Sequence, residues 1–210
     1  MKQRWETGRV EAFSDGVLAI AITLLVLEIK IDPADFVDPW QALADEWPSY
    51  LAYVTSFLTI GGVWLAHHGL FTSLKAVDPV LMRLNILILM AVSFLPFPTG
   101  LMAEALTESR SSERAAVIVY GATAAVIELL MAAASRYAAS QPELLAADAP
   151  PPAVSDRARG GIRAALYAVL LLLGIVVFPK LAAFGYFGIA VYAVLSRRGE
   201  GRLGLLSFRG

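Results

Sequence analysis

There is no cysteine among the 210 residues, so a disulfide framework, a thiolate nucleophile and any Cys-based metal site are ruled out, while the redox compartment stays open. Charge is scarce as well: Asp, Glu, Lys and Arg make up 17% of the chain and nearly cancel, for a net charge of −1. With that balance, and no basic run of the kind that tracks phosphates, a nucleic-acid partner is excluded. Catalytic signatures are missing too. No His-Glu-x-x-His, Gly-x-Ser-x-Gly or paired-Asp motif occurs, which leaves no enzyme, cofactor or metal site to assign. Nor is there an internal repeat, a feature of carriers built from two related halves.

What the chain has in excess is apolarity: 58% of its residues are hydrophobic and the mean hydropathy is +0.65, above the usual range of a soluble domain. Charges are confined to short connectors between long uncharged runs, the pattern a bilayer imposes. Apolar windows of about twenty residues fall at 10–29, 49–72, 80–103, 115–135, 162–178 and 181–196. The chain is therefore expected to be all-α, a multi-pass integral membrane protein of six transmembrane helices in one domain over 1–210, resident in a cell membrane. The last two windows are separated by little more than Pro179-Lys180, which predicts a tight helical hairpin or one kinked segment. Residues 138–161, rich in Ala, Pro and Asp, read as a flexible linker. Lys2, Arg4 and Arg9 precede the first window, but its apolar run continues into Glu28-Ile29-Lys30 with no small-residue cleavage pattern, so it reads as a helix and not as a signal peptide.

Basic residues orient the spans. They gather in the N-terminal tail, in the second connector (Lys75, Arg83), in the fourth (Arg136, Arg157, Arg159, Arg163) and in the C-terminal tail (Arg197, Arg198, Arg202, Arg209). The first connector instead carries Asp32, Asp35, Asp38, Asp45 and Glu46 against Lys30. Because Lys and Arg near helix ends resist translocation, this alternation puts both termini in the cytoplasm and supports an even number of spans.

The first window is unlike an ordinary lipid-facing helix. Only twelve residues separate Asp15 from Glu28, about 18 Å of helix against a hydrocarbon core of roughly 30 Å. At least one of these carboxylates must meet protein or water near the membrane boundary. At 100° per residue, Gly16, Ile20, Leu24 and Leu27 fall within about 80° of one another, with Thr23 at the edge of that face. A stripe of this kind packs against neighbouring helices or lines a conduit. Asp15 points away from it and is expected to bond to another helix.

Further along, Trp64, His67, His68 and the lone Asn85 are the polar features of the second and third windows. Buried polar groups need partners, and a network of Arg9, Ser14, Asp15, one histidine and Asn85 would satisfy all of them, fixing the first three helices in register. A proton relay is the sharper alternative; a shared metal is disfavoured because adjacent histidines leave a helix on different faces. In Phe94-Leu95-Pro96-Phe97-Pro98-Thr99 the two prolines must kink or unwind the backbone. Such breaks occur at transporter ion sites and, equally, as simple kinks.

The stretch Arg9-x-x-x-Phe13-Ser14-Asp15, followed by Gly16-Val-Leu-Ala-Ile20 and Thr23-Leu24-Leu-Val-Leu27-Glu28, resembles the signature of the transmembrane protein 175 family of potassium channels. Trp64-x-x-His67-His68, Asn85 and Phe94-Leu-Pro-Phe-Pro-Thr99 resemble that family's second and third helices. The resemblance implies a single six-helix repeat of the bacterial kind, forming a homotetramer in the plasma membrane with the first helix of each copy around a potassium pore. It implies a pore constriction at Ile20 with further apolar layers at Leu24 and Leu27, a polar selectivity position at Thr23, and a structural network of Arg9, Phe13, Ser14, Asp15, His67, His68 and Asn85. The Thr-Val-Gly-Tyr-Gly filter of ordinary potassium channels is missing from such members and from this chain alike. The second half matches no family motif residue by residue. The rival reading is a proton-coupled secondary transporter that uses Asp15 and the His67/His68 pair.

Overall fold

The computed structural model describes residues 4–31, 37–106, 109–147, 162–163, 165–170, 172 and 179–195. Helix α1 spans Thr7–Leu24 and tightens into a 3-10 turn over Leu25–Glu28. Then follow α2 (Pro39–Asp45), α3 (Trp47–Thr72), α4 (Pro79–Phe94), α5 (Pro96–Ala105), α6 (Arg110–Ala139) and α7 (Pro179–Leu195). The residues described between 162 and 172 are helical as well. No strand occurs among the described residues, only two isolated bridges. Four stretches, Thr7–Glu28, Trp47–Thr72, Pro79–Ala105 and Arg110–Ala139, are long and apolar enough to cross a bilayer, and Pro179–Leu195 is a shorter apolar helix.

Local chemistry sets the starts. Proline stands in the first turn of α2, α3 and α4, where the missing N–H costs nothing because no partner carbonyl precedes it. Asp38 caps α2 through the Gln41 N–H at 3.3 Å, and Asp78 caps α4 through the Leu81 N–H at 2.9 Å. The proline pair interrupts hydrogen bonding without unwinding the chain: Leu95 keeps helical dihedrals of −59° and −33°, and its N–H falls back on the Val92 carbonyl at 3.0 Å. The break is thus a kink. Thr99 repairs its far side, its backbone N–H and its hydroxyl both reaching the Leu95 carbonyl.

Helices approach through small residues, as they do where lipid removes any hydrophobic drive between them. α7 turns Ala182, Ala183, Tyr186, Ala190 and Ala193 inward, and a β-carbon placed on Gly62 of α3 would lie 3.2 Å from that of Ala193. α1 packs on α3 and α4, and α6 on α4, α5 and α7. At the end of the bundle that holds the N-terminus, the segment after α3 is clasped from two sides. Trp5 and Val77 exchange backbone hydrogen bonds, while Lys75 and Ala146 donate to Leu144 and Ser73.

Several boundaries differ from the sequence expectation. α2 sits in the acidic first connector, which the apolar windows leave blank, because seven residues cannot make a window. α6 extends beyond 115–135 at both ends. The expected flexible linker from 138 onward is ordered at its start: Ala138 belongs to α6, and Pro142–Leu144 forms a 3-10 turn with Leu144 buried. The remainder, 148–161, lies outside the described residues, as do the C-terminal tail and parts of the 162–178 window.

Candidate pore helix and its polar seat

α1 has three faces with different fates. One carries Val10, Ser14, Leu18, Ala21 and Leu25, all buried, with Leu18 and Ala21 each 2% exposed. A second carries Phe13, Gly16, Ile20, Thr23, Leu24 and Leu27, all exposed; Ile20 is 62% and Leu27 63% open, and nothing lies within 4 Å of a β-carbon built on Gly16. Each set repeats at three- and four-residue steps, the period of a stripe along a helix. The third face carries Glu11 and Asp15 and meets α3: the Trp64 indole N–H donates to Asp15 Oδ1 at 3.0 Å, and His68 Nδ1 lies 2.8 Å from Glu11 Oε1. Trp64 and His68, one turn apart, stack with centroids at 5.8 Å.

Behind the buried face lies a chain of donors. His67 Nε2 is 2.8 Å from Asn85 Oδ1, the Asn85 amide N–H donates to Ser14 Oγ at 3.0 Å, and the Ser14 hydroxyl donates to the Val10 carbonyl at 2.9 Å. All three side chains are buried. Because Asn85 gives its N–H₂ to Ser14, its oxygen must accept, so His67 carries a proton on Nε2. Its Nδ1 has no partner among the described residues, and the ring stacks on Phe71 at 4.2 Å. The chain runs one way from α3 through α4 to the backbone of α1, pinning three helices at one level.

The single five-residue network expected from the sequence divides. Ser14, Asn85 and His67 join it; Asp15, one residue and 100° round from Ser14, goes to Trp64 instead. Arg9 and Phe13 fall on the open stripe, about 140° and 100° from Ser14. Both are exposed beside a surface hollow of about 520 Å³ that Trp5, Glu6, Val10 and Met82 complete. His67 and His68 face different helices, and no group of three or more His, Asp or Glu with metal-holding geometry occurs among the described residues. Trp64 stands in the sequence as an amphipathic residue; its part as the donor to Asp15 needs the fold to be seen.

Two further features were not legible. Beyond the proline kink, Ser56, Thr99 and Tyr120 form a buried hydroxyl cluster, with Ser56 Oγ 2.7 Å from Thr99 Oγ1 and 3.2 Å from the Tyr120 hydroxyl. In the second half, Arg163 Nε reaches both Glu128 carboxylate oxygens at 3.1 Å, a buried ion pair. Within the open stripe, Thr23 donates to the Ile20 carbonyl at 2.9 Å, which leaves the hydroxyl lone pairs free to face outward.

An all-helical bundle with four stretches long and apolar enough to cross a bilayer belongs to the class of polytopic membrane proteins. The profile of the family described as endosomal/lysosomal potassium channel TMEM175 matches residues 9–96. A potassium channel of Streptomyces collinus is 55% identical over 114 residues, which is 54% of this chain and 55% of that protein; that match spans little more than half of its length. A potassium channel of Chamaesiphon minutus is 44% identical over 144 residues, 67% of this chain and 70% of its own. The crystal structure of a lysosomal potassium-selective channel TMEM175 homolog from that organism superposes with a TM-score of 0.80 at 36% identity, covering 90% of this chain and 97% of that one. A Gallus gallus relative described as an endosomal/lysosomal proton channel TMEM175 is 42% identical over 105 residues, 46% of this chain and 21% of that protein. The chain belongs to the TMEM175 family.

Proposed function

We propose that this protein is a potassium-preferring cation channel of the bacterial plasma membrane, assembled from four copies with α1 of each around a central axis. In this reading each copy is one domain of six membrane helices with both termini in the cytoplasm, and lipid covers the outer surface. The observation that carries it is the bare stripe of α1: a helix already committed on two faces to its own bundle still leaves Gly16, Ile20, Leu24 and Leu27 open. Fourfold symmetry would turn that stripe into rings. Four Ile20 side chains make a narrow apolar neck that sheds water, so ions are blocked until the neck widens, with Leu24 and Leu27 as further layers. Thr23 hydroxyl oxygens, their protons engaged on the helix backbone, offer lone pairs to a partly dehydrated cation just above the neck. The seat of Ser14, Asn85 and His67 holds the stripe at its angle.

The named relatives support potassium as the permeant ion, and the Gallus gallus relative favours proton conduction as a second reading. No titratable side chain lies on the stripe from Gly16 to Leu27, so protons would cross along water in the widened neck. The proton-coupled transporter draws little support: Asp15, His67 and His68 are each engaged with a different partner. The test is flux in liposomes under imposed potassium, sodium or proton gradients, comparing wild type with Ile20→Asn. The expected result is a potassium-preferring leak that grows once the neck can be wetted. Saturable flux needing a co-substrate, with Ile20→Asn silent, overturns the channel.

A further inference from the structure

The end of α1 remote from the N-terminus is tied down by an unusual contact. Glu28, the last residue of the 3-10 turn, leans its carboxylate onto the backbone of α5 at Gly100, and a β-carbon at that position would collide with the Glu28 carboxylate oxygen and its carbon. Gly100 is buried and its φ is not in the left-handed region, so the glycine answers a need for space and not for a turn. Helix interiors disfavour glycine by about 1 kcal/mol against alanine, and here the carboxylate occupies the room it leaves. A second tie runs beside the first: the Lys30 ammonium lies 4.0 Å from Glu28 and 3.7 Å from Glu104, in the last turn of α5. That pair is largely exposed and contributes little by itself.

α5 is the piece of the third span beyond the proline kink. It is anchored on the inside by Thr99 to Ser56 of α3 and joined to α4 only across Leu95, where two prolines remove two backbone donors. We propose that Gly100 and Glu28 form a mooring through which α5 sets the position of the outer end of α1, and with it the width of the ring at Leu27. Glu28 follows Leu27 by one residue, about 120° round the 3-10 turn. Its side chain therefore draws the turn toward the bundle while Leu27 stays on the open stripe. Both are positioning roles. A tilt of α5 about the kink is transmitted to α1 at this point, and loss of the mooring lets the Leu27 layer close inward.

The proposal rests on the pore reading for its effect on flux, but the mooring is measurable without it. The absence of native cysteine lets a single nitroxide be placed at Val26→Cys, on the exposed side of the turn. In Gly100→Ala the label's mobility rises and potassium flux falls by at least about threefold; Glu28→Ala does the same; and the double variant is no worse than Glu28→Ala alone, the non-additivity of two residues in one contact. Thermal unfolding of each variant in detergent separates this from general destabilisation, since the single variants unfold within a few degrees of wild type. Unchanged mobility in Gly100→Ala, additive losses in the double variant, or raised flux in either single variant would overturn the proposal. If mobility rises and couples as stated while flux stays unchanged and Ile20→Asn is silent too, the mooring stands and the pore reading falls.

Discussion

Asn85 is the residue on which the seat of α1 turns, because its amide both accepts from His67 and donates to Ser14. Replacing it with Leu leaves a buried histidine N–H with no acceptor and should cost about 1–3 kcal/mol, seen as a lower unfolding temperature of the purified protein. Trp64→Phe removes the donor to Asp15 at a partly exposed site, where water can replace it, and should cost about 1 kcal/mol or less. A larger loss from Trp64→Phe would contradict the ranking. Ser14, Asn85 and one of the two histidines could be grouped from sequence because polar residues stranded in apolar windows must find one another; that it is His67 needed the fold. Arg9 and Phe13 could not be assigned by that rule: proximity in a motif says nothing about the face a residue takes, and theirs is the open one.

At the scale of helices, one buried pair ties α6 to the helical stretch after 161. Glu128 of α6 and Arg163 of the helical stretch after 161 are nearly enclosed, with side chains 10% and 5% exposed. Removing one partner alone strands a charge, so Glu128→Ala should destabilise by about 3–5 kcal/mol and loosen the terminal helices to limited proteolysis. The double change Glu128→Leu with Arg163→Leu should recover most of that loss. Equal damage from the single and double variants would show that the pair is not what holds these helices. α6 also explains why a window of hydropathy clips a helix. Arg110, Glu113 and Arg114 end the apolar run, yet the backbone goes on bonding, and Glu113 is buried against the Lys180 ammonium at 3.2 Å. The start of α4 falls one residue before the expected window at 80, because Asp78-Pro79 is both cap and first turn. The kink at Leu95 was readable from its prolines, though its mildness needed the dihedrals.

For the whole molecule, the proposed channel requires that copies meet along the open stripe. Single cysteines at Phe13 or Leu24, on an otherwise cysteine-free chain, should form disulfide-linked pairs on mild oxidation in membranes. Cysteine at Leu172, exposed in the second half of the chain, should not. If the stripe positions stay monomeric while Leu172 cross-links, the axis has been put on the wrong side. Assembly was the least legible level, since a stripe at helical spacing serves a core as well as a lumen; its exposure argues against a core within the same subunit, and the cross-links test the lumen. The clasp at the other end of the bundle has a mechanical corollary. Four backbone hydrogen bonds splice the foot of α1, the α3–α4 bend and the strip after α6 into one piece, so tension on the polypeptide beyond Ala147 is delivered to Trp5, at the base of α1, before it strains any lipid-facing surface.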